Sequence, residues 1–233
     1  MVLSDEQIKR LTLDLLKNPS ERDKQRKVGA SQIANPCDYC LGRALKQGGE
    51  SKNQFNRWWM GARIGTAIHN ALEAEEEKHI DRPASYHFDA LEGAVIEQRI
   101  TLGVIDGYGV IGSKPDLVLV KHNQLVDHKT STRAKIAKYK LDGVPTAYVY
   151  QTQLYAWGLN KQGTPIERIS LNFIARDGTT DADVWVTSFD YDESLAVKAW
   201  DRLQMIWDYI QDHDVSTLES HEDCFDCSIN GRV

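Results

Sequence analysis

The sequence predicts an α/β fold in which a central mixed β-sheet is flanked by helices. Short apolar runs rich in β-branched residues at 94–100, 107–111 and 112–131 indicate strands. Residues 54–79 and 145–160 instead repeat their apolar side chains at helical spacing. No internal repeat, low-complexity segment or interdomain linker interrupts these patterns. We therefore expect one domain over residues 1–233.

Composition narrows the class of protein. The chain has 233 residues, of which 41% are hydrophobic and 27% charged, as in ordinary soluble globular proteins. No apolar run approaches the roughly 20 residues that span a membrane, and the N-terminus lacks a secretion-signal pattern. We expect a cytoplasmic protein that does not bind membranes. The net charge of -6 argues against a passive DNA coat but not against a nuclease, which needs only a local basic strip.

The N-terminal part is predicted to alternate short helices with polar connections. Residues 4–17 have the pattern of an amphipathic helix, and residues 18–30 are polar and basic, as in a surface loop. A short helix is expected to begin near Asp38. Residues 48–53 and 80–92 are expected to be connectors.

The helix predicted over residues 54–79 has one mainly apolar face. Its members recur at steps of four and three residues: Trp58, Ala62, Gly65, His69 and Leu72. A glycine such as Gly65 lowers the stability of a helix. Its presence is explained if this face of the helix packs closely against the backbone of another element. His69 then points inward, either as a ligand or as a hydrogen-bonded core histidine. The acidic residues 73–77 are interpreted as a solvated helix end.

The strands at 94–100 and 107–111 lead into the stretch 112–131 and predict a meander of about four strands. Glu97 lies in the middle of the first strand. Its side chain could face the functional site as an accessory residue. The alternative is that it faces solvent.

The second half of the chain is predicted to contain two helices and two strands. Pro145 begins the first helix, since proline suits a first helical turn, and places Tyr148, Gln151 and Tyr155 on one face. Ordinary packing is the alternative for these side chains. Strands at 166–175 and 183–189 and a helix at 192–213 follow.

The stretch 112–131 combines a hydrophobic hairpin with three charged side chains. A two-residue turn at His122 and Asn123 would place Asp116 opposite Lys129 and Val118 opposite Asp127. Side chains alternate between faces along a strand, so Asp116, Asp127 and Lys129 would share one face. A three-residue turn would instead send Asp116 to the other face. Buried charges are costly unless they pair or bind a metal, and we therefore interpret the three residues as a candidate catalytic centre.

Four cysteines form two CxxC pairs: Cys37, Cys40, Cys224 and Cys227. A disulfide framework is not expected in a reducing compartment, and two thiolate pairs indicate a metal or cluster site. Two buried structural pairs are the alternative. A shared site would tie the two ends of the chain together.

Four motifs occur in a characteristic order: Gly65 to His69, Pro115-Asp116, Asp127-His128-Lys129, and Gln151 to Tyr155. Together they resemble the PD-(D/E)XK nuclease superfamily, specifically its RecB-like branch. The branch includes CRISPR-adaptation exonucleases and many phage exonucleases. The resemblance implies a restriction-endonuclease-like core at about residues 54–190, with segments 1–50 and 191–233 joined by the cysteine site.

The resemblance also implies roles for these residues. His69, Asp116, Asp127 and the backbone carbonyl of His128 would bind Mg²⁺ or Mn²⁺, and Lys129 would orient or deprotonate the attacking water. Gln151 and Tyr155 would contact DNA or brace the site.

Members of the branch with a 4Fe-4S cluster have one cysteine before the core and three after it, whereas this chain has two and two. The resemblance therefore implies a 4Fe-4S cluster with structural Zn²⁺ as the alternative, since a four-cysteine site suits both. His221 is a further candidate ligand of this site. The alternative is that it is a polar residue of the C-terminal tail without a role in metal binding.

The implied activity is that of a metal-dependent DNA exonuclease acting on single-stranded DNA or duplex ends, in recombination, repair or phage DNA processing. A flap or structure-specific endonuclease and a non-catalytic DNA-binding adaptor are the alternatives. No helicase motif is found, so a helicase, recombinase or integrase partner would be a separate protein. A strip of basic residues follows the hairpin: Lys129, Arg133, Lys135, Lys138 and Lys140. We interpret the strip as a candidate phosphate-binding surface. For its last three residues, a solvated helix face is the alternative.

Overall fold

The computed structural model describes Ile8, residues 27–47, 59–80 and 89–229, and Arg232. Apart from Ile8, which is helical, the predicted helix at 4–17 lies outside the described residues, as does the connector at 48–53. None of the described helices is long and apolar enough to cross a membrane.

The centre of the molecule is a five-stranded mixed sheet in the order β1-β4-β5-β6-β7. Its strands are β1 (Val95–Ile96), β4 (Leu117–Leu119), β5 (Gln124–Ser131), β6 (Arg168–Ala175) and β7 (Val184–Asp190). Strands β5 and β6 are parallel and all other pairs are antiparallel. With helices packed against it, the sheet confirms the predicted α/β, restriction-endonuclease-like core.

Seven described helices accompany the sheet: α1 (Ala30–Ile33), α2 (Asp38–Lys46), α3 (Trp59–Ile80), α4 (Arg133–Asp142), α5 (Thr146–Lys161), α6 (Glu193–Asp212) and α7 (Phe225–Ile229). Pro145 precedes the first residue of α5, and the side chains of Thr132 and Asp192 cap α4 and α6. Helix α5 is buried on all sides from Gln151 to Leu159, as expected for a helix that crosses over inside a core. Over the described residues, α2, α3, α5 and α6 agree with the predicted helices to within a few residues, whereas α1, α4 and α7 have no predicted counterpart.

The hairpin of β4 and β5 has a different register from the predicted one. Leu117 lies opposite Val126 and Leu119 opposite Gln124, so four residues connect the strands rather than two. Three of them form a 3-10 turn and Asn123 takes a left-handed conformation, which asparagine tolerates better than most residues. The predicted pairs Asp116 with Lys129 and Val118 with Asp127 are therefore wrong. The observed register differs from the predicted one by two positions, so every side chain stays on its predicted face of the hairpin. If the pairing is continued by one residue beyond β4, Asp116 lies opposite Asp127.

The predicted four-strand meander is also wrong. Strands β2 (Ile100–Ile105) and β3 (Gly109–Ser113) form a separate two-stranded sheet. Glu97, with a φ of 47°, ends β1 after two residues and breaks the continuous strand expected over 94–100. Buried Ile100 and Leu102 of β2 then pack directly against Gly158 of α5, where a Cβ would clash with Leu102.

Candidate active site and cysteine cluster

Two carboxylates meet where β4 and β5 come together. Asp116 directly precedes β4, and its Oδ2 accepts a hydrogen bond from the backbone N–H of His128 at 2.7 Å. Asp127 lies in β5 and is only 1% exposed. Its Oδ2 is 2.7 Å from the Nζ of Lys129, yet this contact lacks hydrogen-bond geometry and the oxygen has no hydrogen-bond partner among the described residues. The three predicted residues are thus brought together on one side of the hairpin.

The surroundings move the pKa values of the two carboxyls in opposite directions. Burial raises the pKa of Asp127, and the charge of Asp116 adds to the shift despite Lys129. Burial also acts to raise the pKa of Asp116, but His69 and the His128 backbone N–H lower it below its usual value. The charged form of Asp127 is therefore disfavoured, because one ammonium only partly compensates for burial and for the charge of Asp116. A divalent cation beside both carboxylates would remove this penalty, and oxygen donors suit Mg²⁺ or Mn²⁺.

Helix α3 brings His69 to the carboxylates. The Nδ1 of His69 is 3.7 Å from Oδ1 of Asp116, and contact with that carboxylate raises the pKa of the imidazole. One turn earlier, Gly65 packs on β5, where a Cβ would lie 2.7 Å from Oγ1 of Thr130. The helix does approach β5 closely at Gly65, but the neighbouring atoms belong to a side chain and not to the backbone that was predicted. A larger residue at position 65 would push α3, and with it His69, away from Asp116.

Helix α5 supports Lys129 through a chain of hydrogen bonds. The Nζ of Lys129 donates to Oε1 of Gln151 at 3.0 Å, and Nε2 of Gln151 donates to the hydroxyl of Tyr155 at 2.7 Å. The Tyr148 ring lies 5.0 Å from the same Nζ. Burial raises the pKa of Tyr155 to about 12, so its hydroxyl stays neutral. Gln151 and Tyr155 are both buried, which favours bracing of the lysine over direct contact with DNA.

The protonation of Lys129 follows from the same contacts. Burial acts to lower its pKa, but the carboxylate of Asp127 raises the pKa above the usual lysine value. The side chain is therefore an ammonium that can orient a water or an anion. It is not a base in this state.

Glu97 does not lie in the middle of a strand. It follows β1 in a left-handed turn, and its carboxylate pairs with Lys114. Its backbone N–H donates to the carbonyl of Asp116 at 2.9 Å. Glu97 thereby helps to fix the backbone at Asp116, and a role for its carboxylate as an accessory ligand stays a prediction.

The sequence patterns missed two residues that hold His128. The imidazole lies on the face of β5 opposite Asp127, where Nδ1 is 3.0 Å from Nδ2 of Asn172 and Nε2 is 3.1 Å from Oε1 of Glu76. Nδ1 accepts from the amide, so Nε2 carries the proton that is donated to Glu76. The Glu76 side chain is only 12% exposed, so the solvated interpretation of residues 73–77 is wrong for this residue. Glu76 lies seven residues, or two helical turns, after His69, and this spacing could have placed it on the inward face of the helix.

The basic residues after the hairpin divide into two environments. Lys129 is buried in the site, whereas Arg133, Lys135, Lys138 and Lys140 are exposed along α4. Arg133 has Asp183 at 3.9 Å, and Lys140 lies 5.7 Å from the Trp185 ring centroid. Both earlier interpretations of α4, as a phosphate strip and as a solvated face, fit this exposure.

The four cysteines form a second cluster at the start of α2 and the start of α7. All four Sγ atoms lie within 4.8 Å of one another and all four residues are buried, so they could together hold a metal ion. The two CxxC pairs therefore come together from distant parts of the chain, and the ion that would join them stays a prediction. His221 lies nearby, but its Nδ1 accepts the backbone N–H of Asp223 at 3.2 Å. It does not belong to the ligand group found among the described residues.

Burial and hydrogen bonds set the protonation of the cluster. Burial raises the pKa of Cys40, and it raises that of Cys224 to about 11. Burial acts in the same direction on Cys37, but backbone N–H groups of His221 and Cys40 donate to its sulfur and lower its pKa. The backbone thus favours the thiolate of Cys37, whereas burial opposes ionisation of Cys40 and Cys224, which a bound cation would offset.

Comparison with known proteins finds similarity in solved structures alone. No protein-family model matches the chain, and no curated protein matches its sequence. The crystal structure of SSO0001 has a TM-score of 0.48 at 16% identity over 88% of this chain and 87% of its own. The alkaline exonuclease LHK-Exo from Laribacter hongkongensis has a TM-score of 0.46 at 15% identity over 82% and 90%. A putative exonuclease from Eubacterium rectale has a TM-score of 0.48 at 12% identity over 99% and 94%.

Proposed function

We propose that the chain is a metal-dependent DNA exonuclease that hydrolyses phosphodiester bonds in single-stranded DNA or at duplex ends. The observation that carries the proposal is the buried Asp127 beside Asp116, with His69 and Lys129 in contact with the pair. A protein that only binds DNA gains nothing from buried carboxylates, because they repel phosphates. They become useful when a cation lies between them and the phosphate.

In this proposal Asp116, Asp127 and His69 bind Mg²⁺ or Mn²⁺, with the backbone carbonyl of His128 as a further ligand. The bound ion supplies positive charge for the phosphate oxygens and lowers the pKa of water. Lys129, held by Gln151 and paired with Asp127, orients the attacking water and stabilises the charge that develops on the phosphate. Gln151 and Tyr155 keep the lysine in place.

The exposed side of the site gives the DNA a direction of approach. The side chains of His69 and Asp116 are 31% and 20% exposed, whereas that of Asp127 is almost fully enclosed. A strand would therefore reach the ion from the side of α3. The exposed basic residues of α4 are the proposed contacts for more distant phosphates. We propose that the enzyme acts in the cytoplasm, on DNA delivered by a separate helicase, recombinase or integrase.

The test is a cleavage assay with labelled linear single-stranded DNA, linear duplex and closed circular DNA, each with Mg²⁺, Mn²⁺ or EDTA. We expect mononucleotides or short products from the linear substrates with either ion and no product with EDTA. The variant Asp127→Ala should abolish cleavage, while Asp201→Asn, which changes an exposed carboxylate of α6, should not.

Three outcomes decide against the proposal. Full activity of Asp127→Ala would exclude the mechanism. Cleavage of closed circular DNA, or of a flap substrate added to the same assay, in preference to linear ends would identify an endonuclease. DNA binding without any cleavage in Mg²⁺ or Mn²⁺ would identify a non-catalytic adaptor.

A further inference from the structure

The spacing of the four cysteine sulfurs distinguishes between the two metal centres that the sequence left open. The Sγ atoms of Cys37 and Cys227 are 3.5 Å apart, those of Cys40 and Cys224 are 3.5 Å apart, and those of Cys40 and Cys227 are 3.7 Å apart. No pair within the group exceeds 4.8 Å. We infer that the cluster binds a single tetrahedral Zn²⁺ and does not bind a 4Fe-4S cluster.

The geometry follows from the number of metal atoms that the sulfurs share. Four thiolates on one Zn²⁺, at bond lengths of about 2.3 Å, occupy a tetrahedron whose edges are about 3.8 Å long. In a 4Fe-4S cluster each cysteine binds a different iron, and the irons are themselves separated and bridged by sulfide. The sulfurs then project outward from four separate atoms and must lie much further apart. The measured separations fit the first arrangement and leave no room for four irons and four sulfides.

The surroundings of the cluster suit a closed structural site. Cys37 and Cys227 are 0% and 1% exposed, and the chain itself supplies all four tetrahedral positions. Four thiolates around Zn²⁺ carry a net negative charge, which needs nearby donors or cations. Backbone N–H groups donate to Cys37, and the Tyr39 ring packs against the cluster with the Arg232 guanidinium 3.6 Å from its centroid. These groups stabilise thiolates and exclude solvent, as structural zinc sites require.

The ion would connect parts of the chain that are distant in sequence. Cys40 and Cys224 are separated by 184 positions. Beside them, the backbone N–H of Tyr39 donates to the carbonyl of Glu219 at 3.0 Å, and the Arg232 guanidinium lies over the Tyr39 ring. Zinc would therefore hold the C-terminal segment against α2. The inference does not depend on the proposed nuclease activity, because its test measures metal content and optical spectra.

The experiment is a metal analysis of the full chain, produced with supplements of iron, sulfide sources and zinc. The protein is purified anaerobically and without a metal-affinity resin, so that an iron cluster would survive. We expect about one zinc per chain, no acid-labile sulfide, and no broad absorption band near roughly 400 nm. Replacing the ion with Co²⁺ should give the intense visible bands of a tetrahedral thiolate site.

Each alternative result overturns the inference. About four irons and four sulfides per chain, with the absorption band, would identify the cluster. One iron without sulfide would reject zinc, and absence of any bound metal would reject the site. The variant Cys227→Ser should lose the zinc, whereas Glu222→Gln, an exposed neighbour, should retain it. The cobalt spectrum of the unaltered chain keeps the test decisive if the cysteine variant fails to fold.

Discussion

The carboxylate site and the cysteine cluster are both groups of ionisable side chains, yet they are built in opposite ways. The carboxylate site combines four residues of three types, with charges of both signs, from the β4–β5 hairpin and one helix, and it is partly open on the side of His69. The cysteine cluster combines four identical donors from the two ends of the chain and is buried on all sides. Hard oxygen donors around an open position suit a catalytic ion, and four soft sulfurs in a closed shell suit a structural one.

The difference extends to what each site does for stability. Burial of Asp127 without a full set of partners costs stability in the metal-free protein, because ionising the carboxyl is opposed by burial and by Asp116. A metal at the cysteines would instead stabilise the fold, because the unfolded chain cannot present four sulfurs at once. Loss of one site should therefore remove activity and leave the fold, and loss of the other should remove stability.

The largest expected effect is that of Asp127→Asn on catalysis. The rate of DNA cleavage should fall by about 10³-fold or more, because a metal ligand is lost. The Tm measured with EDTA should change little, because the amide removes a carboxyl whose ionisation burial opposes but also leaves the buried Lys129 ammonium without its partner. A large fall in Tm would show that Asp127 holds the fold and not the ion. Asp201→Asn is the matched control for both measurements.

Next in size is the effect of Cys227→Ser on stability. The free energy of unfolding should fall by about 3 kcal/mol or more, as expected for loss of a structural metal. Urea denaturation measures this change, and Ser228→Ala serves as the neighbouring control. If Cys227→Ser unfolded at the same urea concentration as the unaltered chain, the contrast between the two sites would not hold.

The variant Gln151→Ala should lower kcat by about 10- to 100-fold and leave KM for DNA almost unchanged. Gln151 is buried and holds Lys129, so its loss releases the lysine without removing a DNA contact. Steady-state kinetics on linear DNA separates the two parameters. An increase in KM at constant kcat would instead identify Gln151 as a DNA-binding residue. Gln162→Ala, an exposed glutamine at the end of the same helix, provides the comparison.

A smaller effect is expected for Glu76→Ala. Removing the partner of the His128 Nε2–H should destabilise the fold by about 1–2 kcal/mol, since the imidazole is buried. Thermal unfolding measures the loss. Glu77→Ala, which changes an exposed acid of the same helix, should have no comparable effect. Equal stability of the two variants would show that Glu76 behaves as a solvated side chain and does not stabilise His128.

The smallest effect concerns pH and His69. Because contact with Asp116 raises the pKa of His69, this pair stabilises the metal-free protein below pH 6.5, and the contribution is lost as pH rises through the folded-state pKa. His69→Ala should therefore lower the free energy of unfolding in EDTA more at pH 6 than at pH 9, by less than about 1 kcal/mol. With Mn²⁺ the order should reverse, because a metal binds the neutral imidazole. A pH-independent difference in EDTA would contradict the contact.

The sequence alone determined most of the elements and most of the residues of interest. Local periodicity was sufficient for α2, α3, α5 and α6 and for the strands β4 to β7, since each pattern is repeated over several residues. The shared face of Asp116, Asp127 and Lys129 was also predictable, because alternation along a strand survives any shift of register by two. The two CxxC pairs likewise indicated a metal site before their geometry was known.

The tertiary structure decided what depends on contacts between distant residues. The 3-10 turn before Asn123 set the hairpin register, and packing against α5 separated β2 and β3 from the large sheet. Glu76 became part of the interior because α3 lies against β5, which no charge pattern within the helix reveals. The spacing of the cysteine sulfurs has the same origin. Distances between chain segments are set by how whole elements pack, and local sequence carries no measure of them.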